Sequence, residues 1–168
     1  ILSLILILSI TSCSSIAFWQ SDEIDPDEPR ELIDFNERFE FIENWETKFK
    51  GQNTLNNFIP AFSGNNLFFV DPEGNVSNMD IESGEVLWET ELETIISAGI
   101  VAGFGKLFLS DDQGNLISLD QEDGSIVWRS FAGGEVLANV DVDAGLVIVK
   151  TASGFLNAFN IETGTEEW

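Results

Sequence analysis

The sequence predicts an all-β fold, a β-propeller of four-stranded antiparallel blades, of which the chain carries about three. Trp88, Trp128 and Trp168 recur 40 residues apart. Each closes the same phrase: Gly74, Asp80, Gly84 and Trp88 return as Gly114, Asp120, Gly124 and Trp128. They return again as Gly154, Asn160, Gly164 and Trp168, with every offset preserved. Between windows 67–88 and 107–128 nine of 22 positions are identical, and between 107–128 and 147–168 only five are, so what survives is mostly the glycines and the tryptophan. A fixed period near 40 that keeps turn residues and one large aromatic marks a blade-by-blade repeat. The 14 Phe residues and the absence of Tyr suit a dry, stacked β core.

The chain opens with residues 1–12, ILSLILILSITS, which are apolar or small and carry no charge. A membrane span takes about 20 residues, so this stretch fits the apolar region of a signal peptide instead. It leads into Ile10-Thr11-Ser12-Cys13, which resembles the bacterial lipobox: an aliphatic residue, two small ones, then the cysteine that receives lipid. That resemblance implies cleavage before Cys13, acylation of Cys13, and, with Ser14 next, sorting to the outer membrane. Several acyl chains on one cysteine bury enough methylenes for stable anchoring, at about 0.8 kcal/mol each. Cys13 is the only cysteine in the sequence, so no disulfide can form within it.

Residues 13–37 follow as a lipidated N-terminus and acidic tether, with Pro26 and Pro29 and few aliphatics. Over 38–50 the near alternation of Phe39, Phe41, Ile42, Trp45, Thr47 and Phe49 predicts a lone strand that completes the last blade of the ring. Trp45 stands 43 residues before Trp88, close to the repeat period. Residues 51–168 then make the first three blades.

Each blade reads as four short strands. In the second they are expected at 95–102, 106–110, 115–120 and 125–131, with turns at 103–105, 111–114 and 121–124. A glycine ending each turn supplies positive φ without steric cost. Asp80, Asp120 and Asn160 open the last turn of each blade, where a short polar side chain can accept backbone N–H bonds. The tryptophan that starts each outer strand is large enough to reach the neighbouring blade. Three blades are fewer than the roughly 4–8 that close a ring. Both ends therefore read as cut, and the chain as a piece of a longer reading frame.

Formal charge is −23, from 30 Asp or Glu against seven Lys or Arg, with no His. Nucleic-acid binding rests on cationic neutralisation of phosphate, so this balance argues against it. Without His, neither a Ser–His–Asp triad nor a His-ligated metal can form among these residues. The Asp-rich stretches 71–75, 111–115 and 141–145 lack the ligand spacing of an EF-hand loop and read as hairpin turns. No residue is assigned a catalytic or metal-binding role.

The phrases 78–88 (NMDIESGEVLW) and 158–168 (AFNIETGTEEW) resemble the tryptophan-docking motif of the PQQ-like repeat β-propeller family. That motif is shared by quinoprotein dehydrogenases and non-enzymatic relatives. The order of lipobox, tether, closing strand and blades is similar to the lipoprotein subunits of the outer-membrane β-barrel assembly machine. The resemblance implies an eight-bladed ring on the periplasmic face of the outer membrane, with no cofactor. It implies a scaffold that binds the periplasmic domains of the machine's central barrel-forming subunit, through loops beyond the third blade, and helps barrel proteins insert. Two other readings stay open: a PQQ-dependent dehydrogenase, and a generic periplasmic binding propeller.

Overall fold

Eleven strands, all paired antiparallel, make up the regular structure of residues 38–48 and 58–168, the residues that the computed structural model describes. The signal segment 1–12, Cys13 and the tether 13–37 lie outside them. The described part of a first compact unit, 38–41, carries no secondary structure, and everything below concerns the second unit, from Ile42 to Trp168. Residues 42–48 pair with no strand among the described residues. The strand expected over 38–50 would need a partner from a last blade, and residues 49–50 lie outside the description.

The first sheet holds β1 (Ala61–Ser63), β2 (Asn66–Val70), β3 (Asn75–Asp80) and β4 (Val86–Glu91) in sequential order. The second holds β5 (Ile96–Gly103), β6 (Lys106–Asp111), β7 (Asn115–Asp120) and β8 (Ile126–Phe131), again in order. Every boundary of the second sheet falls within one residue of the sequence expectation. The third sheet has three strands, β9 (Asp141–Asp143), β10 (Leu146–Lys150) and β11 (Leu156–Asn160). The fourth strand, expected to be barely begun at Trp168, consists of a bridge between Phe159 and Glu166 with bonds from the Ala158 N–H to the Trp168 carbonyl and from the Glu167 N–H to the Ala158 carbonyl. Sheets of up-and-down hairpins laid side by side at a 40-residue repeat are consecutive propeller blades.

Burial explains why these strands read as near-continuous apolar runs. Side chains alternate across a strand, yet both faces of the second sheet are covered. Leu107 and Leu109 of β6 join Phe68, Val70, Val76, Ile117 and Leu119 in one core. Phe108, between them in sequence, joins Leu116, Trp128, Val147, Val149 and Phe159 in another. The first core lies between blades one and two, the second between blades two and three.

One irregularity recurs. The register between β3 and β4 shifts between Asn78 and Met79, and that between β7 and β8 shifts between Ser118 and Leu119, the same repeat position. Asn78 faces Trp88 and Met79 faces Val86, so Leu87 is the extra residue of a bulge. A bulge increases local twist and redirects the side chains beside it. Here it sits immediately before the tryptophan.

Candidate functional site

The repeat phrase assembles into sockets that join one blade to the next. The Trp88 indole Nε1 donates to the carbonyl of Gln121 at 3.1 Å, and Trp128 Nε1 donates to the carbonyl of Ile161 at 3.0 Å. Both acceptors follow directly after the residue that opens the last turn, Asp120 or Asn160. Each ring then lies across the glycine that ends that turn. A Cβ at Gly124 would come within 2.6 Å of Trp88 Cζ3, and one at Gly164 within 2.6 Å of Trp128 Cδ2. These glycines have φ of +73° and +68°, so two independent constraints exclude a side chain there. Behind each ring a phenylalanine packs from the tryptophan's own blade, Phe68 at 6.1 Å from Trp88 and Phe108 at 5.9 Å from Trp128.

Trp45 makes the same contact. Its Nε1 donates to the Ile81 carbonyl at 3.0 Å, and a Cβ at Gly84 would meet its ring at 2.6 Å. Sequence reading assigned Trp45 to a closing strand and gave Gly84 no partner. The signal was available, because Ile81, Gln121 and Ile161 hold one repeat position, and three sockets need three tryptophans. Trp45 thus occupies on blade one the place that an outer-strand tryptophan occupies on the next blade. Trp168, the third tryptophan of the repeat, is 58% exposed.

The turn residues carry the polar half of the phrase. Asp80 Oδ1 accepts the backbone N–H groups of Glu82 and Ser83 and the Ser83 hydroxyl, and its other oxygen accepts the Asn65 side-chain amide. Asp120 Oδ1 accepts the Glu122 N–H at 2.7 Å. Asn160 Oδ1 accepts those of Glu162 and Thr163 at 3.0 and 3.2 Å. Gly74 and Gly114 end the turns at the opposite rim, under the loops entering the next blade. A Cβ there would strike the Thr94 carbonyl oxygen at 2.5 Å and that of Gly134 at 2.6 Å. Gly154 has open space at the same repeat position.

Of the three Asp-rich stretches, two close as hairpins capped by their own first residue. Asp71 accepts both the backbone and side-chain N–H groups of Asn75, and Asp111 does the same for Asn115. Among the described residues no three His, Cys, Asp or Glu side chains are grouped to hold a metal ion. In the third blade Thr151 replaces the aspartate and its hydroxyl accepts the Phe155 N–H.

The Ser83 N–H and hydroxyl, joined by the Glu82 N–H and Asn65, hold the Asp80 carboxyl below its ordinary 3.8. The folded pKa is depressed, so this turn's contribution is complete above 3.8 and is lost as pH falls through the folded value. Carboxylate-detected NMR titration of the intact protein is expected to show Asp80 more than half ionised at pH 3.8, where an unperturbed aspartate is half protonated. A midpoint at or above 3.8 would remove the Ser83 bonds as its cause.

Side-chain bonds also cross from blade to blade. Ser97 donates to the Val136 carbonyl at 2.7 Å, Asn157 to that of Ala132 at 2.8 Å, and Ser130 to that of Gly164 at 2.5 Å. Lys106 Nζ meets Glu162 Oε2 at 2.7 Å, an ion pair with one exposed partner, worth at most about 1 kcal/mol. What the arrangement does chemically is hold blades in register through buried, directional contacts.

Comparison with known proteins gives the same picture from sequence. A family model described as outer membrane protein assembly factor BamB matches residues 72–168. BamB of Vibrio cholerae is 50% identical over 113 residues, 65% of this chain and 29% of that protein. BamB of Pseudomonas aeruginosa is 35% identical over 104 residues, 61% of this chain and 26% of that protein. The chain therefore spans less than a third of the length of these two relatives. Among solved structures, BamB from Moraxella catarrhalis superposes with a TM-score of 0.62 at 22% identity, over 73% of this chain and 38% of that one. Quinohemoprotein alcohol dehydrogenase from Comamonas testosteroni superposes at 0.55, also at 22% identity, over 65% of this chain and 20% of that one. Both likenesses are of fold.

Proposed function

The chain belongs to the family of the outer membrane protein assembly factor BamB, and from that premise we propose that it is part of a non-catalytic scaffold lipoprotein of the outer-membrane protein assembly machinery. In this reading Cys13 carries the lipid and residues 14–37 tether the propeller at the periplasmic face of the outer membrane. Loops and blade edges bind the periplasmic domains of the central barrel-forming subunit, and no cofactor takes part. The family match across 72–168 carries the proposal. The sockets support it: the repeat phrase is used for blade-to-blade docking and turn capping, which is what a rigid recognition platform needs.

The dehydrogenase fold is shared, so the two readings are separated by experiment. The intact protein is expected to co-purify with the periplasmic domains of the central subunit, and its loss to lower the outer-membrane content of barrel proteins. Quinone-dependent alcohol oxidation by the protein supplied with PQQ and calcium, without such co-purification, would replace this reading with the enzymatic one.

The anchor is tested separately. Cys13→Ser is expected to leave the fold unchanged and to move the protein into the soluble periplasmic fraction in cells lacking the central subunit. Retention in the outer membrane at the wild-type level would show that Cys13 is not the anchor.

A further inference from the structure

The last turn of the second blade carries a reactive step that the other two lack. Asp123–Gly124 is the one Asp–Gly step in the sequence, which has no Asn–Gly. At the same repeat position the first blade has Ser83–Gly84 and the third has Thr163–Gly164, so neither the turn nor the socket demands an aspartate. An Asp–Gly step is prone to a reaction of its own. The amide nitrogen of the glycine, with no Cβ to shield it, attacks the aspartate Cγ and closes a five-membered succinimide, expelling water. Water then reopens the ring. Attack on the side-chain carbonyl restores aspartate, whereas attack on the original backbone carbonyl leaves isoaspartate, whose main chain runs through Cβ and Cγ and is one carbon longer. One water leaves and one returns, with no oxidant or other co-reactant.

The folded turn opposes that reaction at each step. The Gly124 N–H is held by the Asp120 carbonyl at 3.0 Å, which keeps its proton from solvent base. Asp123 Oδ1 accepts the Ser125 N–H at 2.8 Å, so the carboxyl is engaged beyond the glycine. The Ser125 hydroxyl and N–H also hold that carboxyl below its ordinary 3.8, which makes the protonated, electrophilic form scarcer. Gly124 itself is buried beneath the Trp88 ring and beside Thr90. Even one added carbon there would come within 2.6 Å of Trp88 Cζ3 and 2.5 Å of Thr90 Oγ1. Ring closure requires the peptide between 123 and 124 to reorient, and the indole, fixed by its 3.1 Å bond to the Gln121 carbonyl, restrains it.

We propose that Asp123–Gly124 is a spontaneous isoaspartate-forming site governed by the Trp88 socket. While the socket is seated the aspartate persists. When the first two blades part locally, the peptide is free to close the ring. Asp123 is exposed, so the water that reopens it has access. The product sustains itself, because the extra backbone carbon displaces Gly124 from under the indole and shifts it relative to the Gln121 carbonyl. Isomerisation therefore records that the two blades have separated and leaves them loosely docked afterwards. This inference goes beyond the scaffold reading and rests only on the turn and its socket.

The test is peptide mapping of the intact protein after incubation at neutral pH. Isoaspartate is read by resistance to a protease that cuts before aspartate and by electron-transfer fragmentation, with a synthetic peptide spanning 119–129 as the unfolded reference. Isoaspartate at 123 is expected to form in the protein at least about tenfold more slowly than in the peptide, since only the locally open fraction reacts. Trp88→Ala should raise the rate toward that of the peptide. Trp88→Phe, which keeps a ring over the glycine, should fold and give an intermediate rate. Trp128→Ala is expected to cost more stability but leaves this socket whole, so it should accelerate the reaction less than Trp88→Ala does. In the isomerised fraction the Trp88 indole N–H resonance should shift while that of Trp128 stays fixed. A protein rate equal to the peptide's, no acceleration in Trp88→Ala, an equal acceleration by Trp128→Ala, or an unmoved Trp88 resonance would each overturn the proposal. None of these readouts involves the assembly machinery, so either idea can fail alone.

Discussion

Replacing Trp128 with alanine is expected to destabilise the protein by about 3–5 kcal/mol, the range for deleting a buried aromatic. Trp128 is 8% exposed and belongs to the core between the second and third blades. Its removal empties the space over Gly164, takes the stacking partner from Phe108 and leaves the Ile161 carbonyl without its 3.0 Å donor. Glu89→Gln, at an exposed position of the first outer strand, should change stability by no more than about 0.5 kcal/mol. Denaturant unfolding of the intact protein measures both. Trp88 is half-buried, so Trp88→Ala should fall between them. Equal midpoints for the Trp128 and Glu89 variants would show that the socket does not hold the blades together.

Gly124→Ala carries the second large effect, and it tests the socket from the other side. At φ +73° an L side chain costs about 1–2 kcal/mol in backbone strain alone. The new methyl would also lie 2.5 Å from Thr90 Oγ1 and 2.6 and 2.7 Å from the Trp88 ring. Something must give, and the ring is the larger part of what is in the way. The loss should therefore exceed the backbone term and include much of what Trp88→Ala costs. The double variant Trp88→Ala/Gly124→Ala is then expected to be less destabilised than the sum of the two singles, because the ring can be displaced only once. Strict additivity in the cycle would mean that the glycine serves the turn and not the tryptophan. Gly105→Ala is the control for strain without contact, since Gly105 has φ +72° but open space around it.

The 40-residue phrase was enough to give the all-β class, the blade as the unit and the strand boundaries of the second sheet. The reason is physical: a hairpin turn needs particular residues at particular places, and glycine at positive φ or aspartate at a turn start is visible in one sequence. The third blade follows the same logic: its phrase is complete to Trp168, and because a strand is a ladder of hydrogen bonds with a neighbour, residues 165–168 supply only the first rungs of its fourth strand. The sequence also marked Gly84, Gly124 and Gly164 as turn residues. It did not say that each lies under a tryptophan from another strand segment, because contacts across 36 or more residues leave no local pattern.

Trp45 shows the same division. By itself the sequence determined that an aromatic stands near one repeat length before Trp88. Only the tertiary structure decided that it docks on Gly84 and the Ile81 carbonyl, as Trp88 does on Gly124 and the Gln121 carbonyl. Asn78 is plainer still. In the sequence it is an ordinary member of a β repeat, and its buried, unpaired Oδ1 exists only because folding packs other segments around it. Local turn chemistry is encoded over a few residues and can be read there. Sockets, orphaned polar atoms and inter-blade grooves arise from packing between segments about 40 residues apart, and only the folded chain specifies them.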